Sequence, residues 1–138
     1  MDMKKFVFWT GVYNVALGLS FFIPGYLDLL GFNTPDRLYY TVNTGVFVVF
    51  IGVVLMYCAR DLKSRANLVY LNALLRIAGF FLLAGFGLFG DLGTIAVLAG
   101  VTDLVIGLIY IFGLKASAKN KSHLDFLLDR GPGVTAQG

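Results

Sequence analysis

Two charged residues stand inside long apolar runs of this chain: Arg76 in the run 68–89 and Asp103 in the run 92–114. A charge at mid-membrane depth costs on the order of 3 kcal/mol on insertion scales, so such residues normally face a bundle interior and pair. The tight Gly90-Asp91 sequence between the runs sets their register. Counting from it, Arg76 lies about fourteen residues back and Asp103 about twelve forward, an offset of roughly 3 Å at the helical rise. Asn14, eight residues beyond Phe6 at the start of the first apolar run, falls roughly 12 Å deep, close to the level of Arg76. Asn72 shares a helical stripe with Arg76. Tyr13 and Tyr110 can bring hydroxyls to the same level, although amphipathic rings are equally at home in a bundle core. The candidate site is therefore a polar layer of Asn14, Asn72, Arg76, Asp103, Tyr13 and Tyr110, centred on an ion pair between Arg76 and Asp103. Two chemistries fit it: a register lock between helices, or the lining of a site for a ligand or proton.

Other chemistry is thin. The acidic residues are all aspartate, and there is one histidine and one cysteine, so the chain assembles no metal cluster, no Cys-His pair and no Ser-His-Asp set. No catalytic residue, metal or cofactor is expected. His123 falls in a basic tail, where a solvated role is expected. Cys58 ends the second apolar run, where packing is its reading and palmitoylation the alternative. A single cysteine excludes an intrachain disulfide and leaves the redox compartment open.

The elements that must position this layer follow from composition. With 58% hydrophobic and 14% charged residues, the chain carries more apolar surface than a soluble domain of 138 residues can bury. The apolar residues fall in four contiguous runs, about 6–23, 39–59, 68–89 and 92–114, each near the length a bilayer core requires of a helix, which gives spans of about 6–23, 36–59, 68–89 and 92–114. The expected fold is all-α and integral to the membrane: an antiparallel bundle of four transmembrane helices in one domain, residues 1–121, followed by a tail, residues 122–138. The first run has the charge order of a signal peptide, but it ends in Ile23-Pro24-Gly25 without a small-x-small cleavage pattern and is read as a retained helix.

Nine of the eleven cations (Lys4, Lys5, Arg60, Lys63, Arg65, Lys115, Lys119, Lys121, Arg130) fall on one side of such a bundle. The other side has only Arg37, beside Asp28, Asp36 and Asp91. The positive-inside rule then puts both termini in the cytoplasm. The net charge of +3 reports orientation and attraction to anionic lipid heads, and no nucleic acid is invoked. Trp9, Tyr57 and Tyr70 fit an inner aromatic belt and Tyr26, Tyr39 and Tyr40 an outer one. Thr34-Pro35-Asp36 supplies an N-cap, a proline at the first position and an acid in the first turn of the second helix. Residues 26–32 (YLDLLGF) are apolar enough to lie along the outer interface.

A glycine spacing recurs within the runs. Residues 11–18 read GVYNVALG, 45–52 GVFVVFIG and 100–107 GVTDLVIG, each a glycine pair seven residues, or two helical turns, apart. Helices in lipid associate where small residues let backbones touch, so Gly11, Gly18, Gly45, Gly52, Gly100 and Gly107, with Gly93 and Gly79 on the same stripes, are the expected seams, and the heptad spacing favours left-handed crossings. Three residues after the first glycine of each pair stand Asn14, Val48 and Asp103, so two of the three glycine seams carry a polar residue on the face expected to be buried.

After the fourth run, residues 122–130 (SHLDFLLDR) have leucines on one side and charge on the other, as a short interfacial helix would, and residues 131–138 (GPGVTAQG) are expected to be disordered or a partner contact. Four short spans, a Pro-Gly break after the first, and the Ala59-Arg60-Asp61 turn leading to an arginine inside the third together resemble small bacterial DoxX-like membrane proteins over most of the chain. That resemblance implies a bacterial inner membrane and an accessory role near membrane oxidoreductase systems. The preferred expectation is a non-catalytic accessory subunit, or a holder of a lipid or small hydrophobic ligand, with membrane lipids and a homo-oligomer or larger membrane complex as partners. The competing class is an oligomeric transporter or channel lined by Arg76 and Asp103; a membrane oxidoreductase-associated subunit is third.

Overall fold

The computed structural model describes residues 2–33, 38–118 and 121–128. Six helices follow one another: α1 (Met3–Ser20), α2 (Tyr26–Leu29), α3 (Leu38–Arg60), α4 (Ala66–Phe89), α5 (Ile95–Ser117) and α6 (His123–Leu127), with no strand among the described residues. Three of them, α3, α4 and α5, are long and apolar enough to cross a membrane. α1, with 18 residues, is not among the three; it includes Lys4, Lys5 and Asn14.

Local sequence explains the ends. Asp2 caps α1, its carboxylate accepting the Lys5 backbone N–H at 3.2 Å, and that bond, with the Lys5 charge, holds the Asp2 carboxyl below the usual carboxylate range. α1 stops at Ser20, short of the expected 23. Phe21, Phe22 and Ile23 donate to carbonyls three residues back, because Pro24 disfavours helical backbone before it and Gly25 then turns left-handed at φ 75°. The region 26–32 contains a single turn of helix, α2. The cap expected at Thr34-Pro35-Asp36 lies outside the described residues, as do residues 131–138. α4 and α5 span 66–89 and 95–117, against the expected 68–89 and 92–114, and the tail helix is only one turn long.

The long helices pack as two intimate antiparallel pairs, α1 with α3 and α4 with α5, and the pairs meet only thinly, through α1 with α5 and α3 with α4. Glycine sets the first pair. A Cβ built on Gly11 would lie 2.7 Å from the Gly52 carbonyl oxygen, and one on Gly45 would lie 2.7 Å from that of Gly18, so the two backbones touch at two levels. In the second pair, a Cβ on Gly107 would lie 3.0 Å from the Ala73 carbonyl and one on Gly100 3.3 Å from that of Phe80. Gly93 plays a different part from the one expected. It lies in the α4–α5 connection, ahead of the helix, where φ of 81° suits glycine and its backbone packs against Gly31.

The apolar core lies toward the end of the bundle that carries the start of α1 and the end of α5. Val7, Leu55, Cys58, Val69, Tyr110, Leu114 and Phe126 are all but excluded from solvent there. α6 covers this end, capped by Ser122 in a reciprocal capping box with Asp125. Tyr70 is therefore no belt residue: it is buried, its ring stacked on Phe126 with centroids 5.1 Å apart. His123 is likewise not simply solvated, since its Nδ1 lies 2.6 Å from the Tyr70 hydroxyl.

Candidate functional site: a polar layer where the helix pairs meet

Arg76 sits in the middle of α4, 6% exposed, and its guanidinium is met from three helices. Nε donates to Asn72 Oδ1 at 3.1 Å, one turn back on the same helix. Nη1 donates to Asp103 Oδ1 of α5 in an ion pair. Nη2 donates to Asn14 Oδ1 of α1 at 2.8 Å. The planar fork of arginine makes this possible, because its N–H groups diverge in fixed directions that a lysine ammonium does not offer.

Small residues make the room. Gly107 lets α5 approach the stem of Arg76, where a Cβ would come within 3.4 Å of the arginine Cβ. Gly79 stands one turn after Arg76, and among the described residues a Cβ there would meet only Asp103 Oδ2, at 3.7 Å, beyond its own helix backbone. Its lack of a side chain thus borders the carboxylate and makes no backbone seam. Asn14 lies between Gly11 and Gly18 on the buried face of α1, so the seam with α3 and the reach toward Arg76 share one helix.

One turn before Asn14, Thr10 extends the layer. Its hydroxyl donates to the carbonyls of Phe6 and Val7 at 3.0 Å, which leaves its oxygen to accept from the hydroxyl of Tyr110 on α5. Tyr110 is fully buried and its ring meets Phe6 edge-on. Thr10 escapes a reading of the sequence because a threonine in an apolar helix commonly bonds its own backbone. The available signal is its spacing of four from Asn14, which puts both on one face. Tyr13 does not join the layer. It is 44% exposed, since consecutive helical residues point about 100° apart and Asn14 already faces inward.

The cluster is electrically balanced, one cation against one carboxylate with two neutral amides. Among the described residues every buried side-chain nitrogen and oxygen has a hydrogen-bond partner. The open side is Asp103, whose side chain is 30% exposed. Among the described residues no group of three His, Cys, Asp or Glu side chains could hold a metal. Cys58 is buried in the apolar core, away from solvent. In comparisons with family models, curated proteins and solved structures, nothing matches this chain.

Proposed function

We propose that this chain is a non-catalytic, four-span bacterial inner-membrane protein with both termini in the cytoplasm, acting as an accessory subunit whose polar layer clamps its two helix pairs together. The observation that carries this reading is that each guanidinium nitrogen of Arg76 is bound to a different side chain, from three helices. A site built around a ligand would leave a guanidinium nitrogen without a protein acceptor, and none of the three is so left. Buried charge that is fully paired is a device for register and specificity more than for net stability. α1 counts as the fourth span because its glycine seam with α3 runs through two full turns, and among the described residues Lys4, Lys5, Arg60, Lys63, Arg65, Lys115 and Lys121 fall at one end.

The same layout suits a lipid surround, because α4 and α5 each leave an apolar face outward, with Phe81, Leu82, Leu98 and Phe112 exposed. A second reading, a holder of a lipid or small hydrophobic molecule, is favoured by an apolar groove of about 210 Å³ between α3 and α4 in which Asn72 is the polar group. The transporter reading is separated from both by one experiment. The full chain is reconstituted into liposomes and proton flux is followed with an entrapped pH dye under an imposed gradient. Flux no greater than in empty liposomes is expected. Flux that is abolished by R76L/D103L would assign the layer to a conduction path.

A further inference from the structure

At the end of the bundle that carries the start of α1, the start of α1 and the end of α3 border a cleft of about 510 Å³ lined by Asp2, Lys4, Lys5, Phe8, Trp9, Ala59 and Arg60. The cleft has two chemical halves. One is cationic. Asp2 is engaged with Lys5, through the helix cap and an ion pair at 3.7 Å, while Lys4 and Arg60 have no ion-pair partner among the described residues. The other half is apolar, made by Ala59 and by Phe8 and Trp9, whose rings meet edge-on with centroids 5.8 Å apart. Trp9 is 64% exposed beside this cleft. The antiparallel packing through Gly11 and Gly52 is what brings the beginning of one helix beside the end of the other.

We propose that this cleft binds one anionic phospholipid, its phosphate held between Lys4 and Arg60 and its upper acyl chain lying along Phe8 and Trp9. The inference rests on the membrane reading of the chain, and it goes beyond a general attraction of basic loops to a charged surface. Two cations without an ion-pair partner among the described residues make the cleft attractive to an anion. The apolar wall directly beneath them calls for an amphiphile, and indole is at home at the depth where headgroup meets acyl chain. A second copy of this chain fits poorly, because it would bring the same uncompensated cations to the same place.

Trp9 is the only tryptophan, so it reports on the cleft without a label. The full chain is placed in phosphatidylcholine nanodiscs containing a minor fraction of lipid brominated on its acyl chains, either phosphatidylglycerol or phosphatidylcholine, and quenching of Trp9 is measured. Brominated phosphatidylglycerol should quench more strongly at equal fraction. K4Q and R60Q should each lower that preference about fivefold, the effect of one surface cation on an anionic lipid. K63Q/K115Q, which removes cations outside the cleft, should leave it. Equal quenching by the two lipids overturns the site while the membrane reading stands, and no quenching by either overturns the membrane reading itself. An equal loss in K63Q/K115Q would make the preference one of diffuse surface charge and would also overturn the site. Inorganic phosphate, added against chloride at matched ionic strength, should not restore Trp9 emission; if it does, the cleft takes the phosphate group alone.

Discussion

The side-chain carbonyl of Asn14 accepts from Nη2 of Arg76 at 2.8 Å, joining residues 62 positions apart in sequence and tying the first helix pair to the second. Backbone contact between the pairs is thin, so this bond and the Thr10–Tyr110 hydroxyl pair are the polar links between them, while the Arg76–Asp103 ion pair lies within the second pair and holds the guanidinium in place.

Removing one partner of a buried ion pair leaves a charge without compensation. R76L and D103L should each lower stability by about 3–5 kcal/mol, whereas R76L/D103L should recover much of the loss. Thermal unfolding of the four proteins in one detergent measures this. Additive damage in the double variant would show that the pair is not coupled.

The hydroxyl pair gives a second cycle at a different level. T10V strands the buried Tyr110 hydroxyl and should cost about 1–3 kcal/mol, while T10V/Y110F removes both polar groups and should regain most of it. Equal stability of T10V and the wild type would mean that Tyr110 finds water or another acceptor.

Glycines that look alike in the sequence should behave differently. A Cβ at Gly52 would meet the Gly11 carbonyl at 2.7 Å, and backbone cannot step aside cheaply, so G52A should destabilise by about 1–3 kcal/mol. Gly85 has nothing within 4 Å of such a Cβ, and G85A should be neutral or gain up to about 1 kcal/mol from helix propensity. The same unfolding assay compares them, and the reverse order would place the α1–α3 seam elsewhere.

Topology is checked by membrane-impermeant thiol labelling in a C58A background. Cysteines introduced at Asp2 and Asp125 should react only from the cytoplasmic side, and one at Asn33 only from the opposite side. Opposite accessibility of residues 2 and 125 would mean that α1 does not cross.

Much of this was legible in the sequence. Run length and hydrophobicity locate α3, α4 and α5 to within a few residues, because a helix that buries its backbone polar groups in lipid has no other way to satisfy them. The short connection after α4 forces α4 and α5 together, and counting along two antiparallel helices from that connection brings Arg76 level with Asp103 without any structure. Glycine pairs seven apart mark faces where backbones can meet. They do not say which helix each face meets, and only the tertiary structure pairs Gly11 with Gly52 and Gly18 with Gly45, because any glycine stripe fits any other. The same limit applies to Tyr13, Tyr70, Gly79 and Gly93. Whether an aromatic residue faces lipid or core, and whether a glycine opens a seam, borders a carboxylate or turns a corner, depends on the neighbour that arrives from elsewhere in the chain, and residue type and spacing carry no record of that neighbour.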